Sequence, residues 1–585
     1  MVAIVAVANG AWWLAQRFGA DGLSSATSAR NAAQRQEAPY DAMAALVLPF
    51  GYTLEEHFVQ TEDGYILRLF RLGARTQQGP STGQLLSPSR TAAPDPRPQS
   101  TDATLPEPAT ITTTTTSEPS DEARRRTAAE EQQPAAAGDP GGTSASTSTE
   151  VPEPTIATPT PNTGTGTGTS SAAAIAAAPS TGASTGARGP VAFLHHPLMG
   201  SSVDFAVMGP GRSLAFILAD AGTRGKGRGR CGYDVWLTNV RGNRFSRNHT
   251  ALDPDAPGDM EAFWSYSWDE HVSLDLPAAL DLVAAVTGQD TGMLFVGYSQ
   301  GTTVCLAALS SQPRVSRRIA AAVLLAPVAF VSHMTSPLFR WMAQWKLERL
   351  FRYVGMHEYG GHHPAAARLA SSFCGRHPAP CTAYLELLCG TNPSPPSPAS
   401  PYAGNLDPAL LPAIMTFLPS GTSVQNMAHW GQVVRESDPV RLPYYDYGTD
   451  CSKPDPPDSS SSSSSLRTGG RYPCNQAAYN GSRVPPAYPL SSITTPLALF
   501  TGGRDSLADP VDVALLLSAL QRGPGAEGGG PVVLLHHDEP DYGHLDFGVG
   551  YDAADRIYPL VLAFMRQFAA PGAGAATAAA AAAAA

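Results

Sequence analysis

The sequence predicts an α/β fold in which a mostly parallel central sheet is flanked by helices. Three observations carry that expectation. A short apolar run, MLFV at 293–296, leads into the turn GYSQG and then into TTVCLAALSSQ, a helix-compatible segment of small and apolar residues. Two later apolar runs, LALF at 497–500 and VVLLHH at 532–537, stand on either side of the helix-compatible VDVALLLSAL. Sequence able to build a core is confined to roughly 40–75 and 189–569, enough for one large core and an inserted region.

Residues 1–39 begin MVAIVAVANGAWWLAQR. The uncharged stretch is short for a bilayer span. It fits the apolar part of a signal peptide or a membrane-proximal anchor, although the usual basic start is missing; an incorrectly assigned start site is the competing explanation. Residues 40–75 are expected to hold the first strands. Residues 76–188 are packed with Thr, Ser, Pro, Gly and Ala. Such a stretch cannot bury enough apolar surface to offset chain entropy, so it is expected to be a long disordered insertion. Residues 449–473, with their serine run, form a second tract of this kind, and the Ala-rich tail at 570–585 a third. The foldable remainder divides into 189–328, 329–490 and 491–569. The net charge is −11 with no basic block, which excludes a nucleic-acid partner. Seven cysteines exclude a disulfide-dense scaffold, and the absence of a C-x-x-C pair argues against zinc. No cofactor and no metal are expected.

Two stretches, GASTG at 182–186 and GYSQG at 297–301, match G-x-S-x-G. That spacing suits a serine nucleophile on a tight strand-to-helix turn. Glycine makes up 55 of 585 residues, so a chance match is unsurprising and context must decide. Ser184 lies at the end of TGTGTGTSSAAAIAAAPSTGASTGARGP, with no strand before it and no periodic helix after it. It reads as an accidental match in a linker. Ser299 has both flanking elements, and Gly297 and Gly301 stand where the two backbones must crowd together. Taken alone, the segment also fits a Gly-rich turn without chemistry.

A serine hydroxyl needs a histidine to take its proton and an acid to orient that histidine. Asp505 follows the strand at 497–500, on the loop side of the sheet where open α/β sheets bind ligands. Asp509 and Asp512 are rivals; Asp509 precedes Pro510 and suits a helix cap. His544, in DYGHLDF, follows the strand at 532–537, whereas His536 and His537 at the strand end read as structural. The order Ser299, Asp505, His544 is the serine–acid–histidine order of a hydrolase built on this fold. The oxyanion that forms on an ester carbonyl needs backbone N–H donors. Gln300 supplies one and Leu198, in the loop after VAFLHH, the other; Pro197 has no N–H to give.

The segments GYTLEEHFVQTEDGYILRLFRL (51–72), FLHHPLMGSSVDF (193–205), GYDVWLTNVRGNRFSRNH (232–249), FWSYSWDEHVSLDLPAALD (263–281), GYSQGTT (297–303), SGTSVQNMAHWGQ (420–432), GGRDSLADPVDV (502–513) and YGHLDF (542–547) together resemble the acid lipase family of α/β-hydrolases. The family comprises the gastric and lysosomal lipases, the plant lipases and the sterol-ester hydrolases. The resemblance implies the α/β-hydrolase fold, with the nucleophile on Ser299, the acid on Asp505, the base on His544 and the oxyanion donors on Leu198 and Gln300. It also implies a helical cap over about 329–490. Two departures stand out. The family usually has His-Gly-Leu where this chain has His196-Pro197-Leu198, which bears on the aim of the loop. The family also lacks the long tract after RLFRLGAR, which is expected to join two consecutive strands at the sheet's edge.

Within the implied cap, SPLFRWMAQWKLERLFRYVG (336–355) has Leu338, Trp341, Met342, Trp345 and Leu350 at helical spacing. It is either a core-facing helix or a lid that presents apolar surface to lipid. His429 in SVQNMAHW reads as a packed or hydrogen-bonded residue rather than a ligand. Cys381 and Cys389 match a disulfide position of gastric-type relatives; two free buried thiols are the alternative. Cys451 and Cys474 flank the serine tract and can also pair, and Cys305 is expected to be free. The sequons at Asn248 and Asn480, with the apolar N-terminus, favour the secretory route. The expected activity is hydrolysis of neutral lipid esters, triacylglycerol or sterol ester, through an acyl-enzyme. Transient contact with a lipid droplet or membrane surface is part of that expectation, and the oligomeric state is open. A soluble carboxylesterase or acyltransferase with the same triad is the alternative, and a non-catalytic lipid-binding protein the more distant one.

The tract contributes no apolar core, so replacing residues 78–186 by a short Gly/Ser linker is expected to leave a soluble, active enzyme. Purification of the deleted chain as aggregate only, beside a soluble full chain, is the contrary outcome.

Overall fold

Thr53–Gln60 (β1) and Ile66–Gly73 (β2) pair antiparallel as a hairpin, turned at Gly64 with φ 97°. They continue a sheet whose other strands are Val191–His195 (β3), Asp234–Leu237 (β4), Met293–Tyr298 (β5), Ile319–Leu325 (β6), Leu497–Gly502 (β9) and Val533–Glu539 (β10). The spatial order is β1-β2-β4-β3-β5-β6-β9-β10. Pairing is antiparallel from β1 through β4 and parallel from β4 to β10. This computed structural model describes residues 42–73, 75, 189–222, 232–361, 364–397, 400–436, 440–452, 472–521 and 532–569. The expectations for 1–39, 76–188 with Ser184, most of 449–473 and the tail at 570–585 lie outside the described residues.

The central strands read as unbroken apolar runs because both faces are covered. Alternate residues serve opposite layers. Phe193, Phe295, Leu324 and Leu499 pack on one face with Leu276–Thr287 (α2), Gln300–Ser311 (α3) and Pro510–Gln521 (α10). Leu194, Val296, Val323 and Phe500 pack on the other with Leu214–Asp220 (α1) and Tyr558–Phe568 (α11). The parallel α/β sheet expected from sequence is present. One detail differs. The strands that flank the long tract, β2 and β3, are neither adjacent nor at the edge, because β4 lies between them and β1 is the edge strand.

Between β6 and β9 the chain leaves the sheet and forms Pro337–Gln344 (α4), Leu347–Tyr353 (α5), Pro364–Arg376 (α6), Pro378–Cys389 (α7), Leu411–Phe417 (α8) and Val424–Arg435 (α9). A two-residue ladder, Glu358–Tyr359 (β7) with Thr422–Ser423 (β8), ties this region together. The amphipathic stretch 336–355 is two helices, not one. The chain turns at Lys346, whose φ of 51° is left-handed and stops α4 short of α5. Among the described residues no helix is long and apolar enough to cross a membrane.

Cys381 pairs with Cys374, and the expected Cys381–Cys389 bond is absent. Cys381 and Cys389 sit on the same helix, α7, two turns apart; a rise of about 1.5 Å per residue separates them by roughly 12 Å, beyond disulfide reach. Cys374, near the end of α6, instead meets the first turn of α7 with Cα atoms 5.7 Å apart. A second bond joins Cys451 to Cys474, and Cys305 is free and buried in α3. Peptide mapping of unreduced protein after alkylation in denaturant is expected to find Cys374 linked to Cys381 and Cys389 alkylated. A Cys389-linked peptide is the contrary result.

Candidate active site

Ser299 stands at the junction of β5 and α3 with φ 55° and ψ −121°, a conformation that L-residues avoid. The surroundings enforce it. The Ser299 N–H donates to the Leu325 carbonyl at 3.0 Å, and the Thr302 hydroxyl donates to the Ser299 carbonyl at 2.6 Å. A Cβ on Gly297 would meet the Gly301 carbonyl oxygen at 2.7 Å, and one on Gly301 would meet the His195 carbonyl oxygen at 2.3 Å. Both elbow glycines are therefore required by contact. The other match to the motif, Ser184, lies outside the described residues.

The Ser299 hydroxyl lies 2.7 Å from His544 Nε2, and His544 Nδ1 lies 2.7 Å from Asp505 Oδ2. The other carboxylate oxygen of Asp505 accepts the N–H groups of Leu507 and Ala508, each at 2.8 Å. With one oxygen held by the loop, the other is fixed on the histidine, so the proton on Nδ1 leaves Nε2 free to accept from the serine. All three residues are buried. The loop carrying His544 is tied at two points: its N–H donates to the Cys389 carbonyl at 3.0 Å, and its carbonyl accepts the Tyr298 hydroxyl at 2.9 Å. The rivals are occupied elsewhere. Asp509 accepts the Val511 N–H and caps α10, Asp512 holds His333, His536 meets Thr501 and His537 meets Glu539.

Leu198 and Gln300 border the same cavity as Ser299 and His544. Gln300 opens α3, where an N–H has no partner within its own helix. The Pro197 departure is absorbed by its carbonyl. That oxygen accepts the His196 Nδ1–H at 2.8 Å and the Gly200 N–H at 3.0 Å, closing a turn with Met199 at φ 56°. His196 Nε2 in turn accepts the Val240 N–H at 3.2 Å. Burial pushes the His196 pKa down to about 4, so the ring stays neutral and keeps both contacts. The turn aims Leu198 without using its own N–H.

Sequence reasoning missed how the inserted region grips the elbow. The Gln300 side-chain oxygen accepts Trp430 Nε1–H at 2.7 Å and Asn426 Nδ2–H at 3.1 Å, both from α9. Asn426 and Trp430 lie one helical turn apart in SVQNMAHWGQ, but that spacing does not name their partner. His429 on that helix stacks on Trp268 with ring centroids 4.0 Å apart and bonds the Pro443 carbonyl, a packed residue as expected. Phe339, Met342, Phe351, Leu388, Ile414 and Phe417 line the cavity beyond Ser299. Trp341 and Trp345 do not; they are 50% and 70% exposed. Among the described residues no cluster of His, Cys, Asp or Glu is arranged to hold a metal ion.

Asp204 also faces the cavity. Its carboxylate accepts the Ser201 N–H at 2.7 Å, yet burial pushes its pKa up to about 7. An acid whose folded pKa is raised binds its proton more tightly in the native state, so its stabilising contribution is lost as pH rises from the ordinary carboxylate range through about 7. Asp204→Asn keeps an acceptor for Ser201 and carries no charge. Its melting temperature relative to the parent is expected to rise with pH and to level off above neutrality, by calorimetry. A pH-independent difference is the contrary result.

Two family descriptions match the chain: "Partial alpha/beta-hydrolase lipase region" over residues 43–89 and "alpha/beta hydrolase fold" over residues 193–357. Gastric triacylglycerol lipase of Homo sapiens is 33% identical over 387 residues, covering 66% of this chain and 81% of its own length. Lipase member K of Mus musculus is 32% identical over 373 residues, covering 63% and 77%. Lysosomal acid lipase/cholesteryl ester hydrolase of Homo sapiens is 31% identical over 393 residues, covering 65% and 80%. With similarity of that extent over an α/β-hydrolase sheet, the chain belongs to the acid lipase family, ester-hydrolysing enzymes of α/β-hydrolase fold.

Proposed function

We propose that this enzyme hydrolyses long-chain esters of neutral lipids, triacylglycerol or sterol ester, with Ser299 as nucleophile, His544 as general base and acid, and Asp505 as the group that orients His544. The observation that carries this reading is the unbroken Ser299–His544–Asp505 hydrogen-bond chain opening onto an apolar cavity. His544 Nε2 takes the hydroxyl proton as Ser299 Oγ bonds to the ester carbonyl carbon. Negative charge moves to the carbonyl oxygen, where the Leu198 and Gln300 N–H groups receive it; one such donor is worth about 3 kcal/mol. The C–O bond to the alcohol then breaks and His544 protonates the departing oxygen. Water, deprotonated by the same nitrogen, attacks the acyl-enzyme and releases the fatty acid.

The cavity supports a long acyl chain. Phe339, Phe351 and Met342 offer it apolar wall, and each buried methylene is worth about 0.8 kcal/mol. Entry along the secretory route is supported by the Cys374–Cys381 and Cys451–Cys474 bonds, which persist in oxidising compartments. Asn480 is exposed and available for glycosylation, whereas Asn248 is half-buried with its carbonyl bonded to the Ile66 N–H.

Ser299→Ala is expected to abolish ester hydrolysis and fluorophosphonate labelling, and Ser184→Ala to change neither. With the parent enzyme, kcat/KM on p-nitrophenyl esters is expected to rise with chain length, and acid to be released from a triolein emulsion. A steady fall beyond butyrate with no release from triolein would move the assignment to a soluble carboxylesterase.

A further inference from the structure

Asp204 is a carboxyl group that the proposed mechanism leaves unused. It stands in the turn Ser202–Phe205, just after the loop of Pro197 and Leu198, and borders the cavity at Ser299. Its Oδ2 accepts the Ser201 N–H at 2.7 Å, which ties the group in place. Among the described residues no donor bonds its other oxygen. Leu198, Val203, Val207, Ile414 and Phe417 wall the same cavity, and no described Lys or Arg lines it. The groups around Asp204 are neutral or held elsewhere. At the end of β3, burial keeps His195 and His196 far below the usual histidine pKa, so neither is charged near neutrality. The Tyr298 hydroxyl donates to the His544 carbonyl, and the His544 ring is engaged by Ser299 and Asp505. Within the cavity Glu348 is paired with Arg435 at 3.0 Å, and burial raises the Tyr359 and Tyr384 phenols and the Cys389 thiol. Asp546, on the turn Asp546–Val549 packed against Ser202–Phe205, accepts from Gly543, Asn392 and Asn405 and does not line the cavity.

We propose that Asp204 determines which acyl chains the enzyme selects: uncharged, its carboxyl is part of a wall that a long chain can cover, and ionised, it refuses that chain. A carboxylate without a counter-charge holds its water, because burying it unpaired is costly. A short ester leaves that water in place, whereas a long chain displaces it. Burial already pushes the Asp204 pKa up to about 7, and a covering chain raises it further. The sign follows from linkage. The covered state favours the protonated acid, so preference for long chains is present below about 7 and is lost as pH rises through neutrality. The loss is on the order of tenfold where the covering chain raises the acid by one further pKa unit. The inference rests on the reading of this cavity as the acyl site of an ester hydrolase.

The test measures kcat/KM for p-nitrophenyl octanoate and p-nitrophenyl butyrate from mildly acidic to mildly alkaline pH, read at the isosbestic wavelength of nitrophenol. The octanoate-to-butyrate ratio cancels the titration of His544, which serves both esters. In the parent enzyme the ratio is expected to fall about tenfold across neutrality. In Asp204→Asn and in Asp204→Leu it is expected to keep its acidic value throughout. Asp546 titrates in the same range, with its pKa also pushed up to about 7, so substitution at 204 separates the two acids. The two variants differ in polarity, so misfolding of one leaves the other to decide. A parent ratio that does not change with pH, or one that falls equally in the variants, overturns the role of Asp204. Preference for butyrate at every pH, with no release from triolein, overturns the acyl-site reading instead. The role of Asp204 is decided by the slope of the ratio with pH, not by its size.

Discussion

The structure turns on one close approach. Gly301 lies so near the end of β3 that any side chain atom there would strike the His195 carbonyl oxygen, and Gly297 lies as near to Gly301. That contact lets α3 begin directly above the sheet with Ser299 at a positive φ. It also brings the residues that follow His195, including the turn that aims Leu198, beside the first N–H of α3. Ser299 and the backbone that follows His195 are thus positioned by the same packing event. The strain at Ser299 persists because bonds to Leu325 and Thr302 on both sides over-determine it.

The inserted helices are not simply laid over this elbow. Trp430 and Asn426 hold the side chain of Gln300, the first residue of α3. Ser420 donates to the Met199 carbonyl at 2.7 Å, so the turn around Leu198 is held from the same side. Cys389, at the end of α7, accepts the His544 N–H. Gln300, Met199 and His544 are therefore all bonded to the insertion. These bonds come from α7, α9 and the segment before β8, and none of them from α4 or α5.

What the sequence made legible follows from how local each signal is. The elbow could be read because its glycines answer to neighbours within a few residues. Asp505 and His544 were legible as candidates because each lies in the loop that follows a strand, and those loops share one end of a parallel sheet. Gln300 held by residues 126 and 130 positions away is a tertiary fact that no periodicity encodes. The cysteine pairing was misread because resemblance supplied a position and the axial rise of α7 was left out of account. In 336–355 the apolar spacing was real, but periodicity cannot tell a wall facing a cavity from one facing outward. Phe351 is the first kind, and Trp341 and Trp345 are the second.

The tolerance of a very long tract between β2 and β3 has a geometric reason in the sheet. β2 runs antiparallel to β4, with Leu72 opposite Val235, and β3 runs parallel to β4, with Val191 opposite Asp234. The chain therefore leaves β2 at the end of the sheet where the parallel strands begin and re-enters β3 at that same end. Ser299, Asp505 and His544 all stand past the opposite ends of their strands. A connection of any length between Gly73 and Val191 starts and finishes a full strand length from the chemistry. Its closure cost grows only with the logarithm of its length. The sheet can carry such an addition there, whereas an insertion of equal length between β5 and α3 would separate Gly297 from Gly301 and remove the contact that seats Ser299.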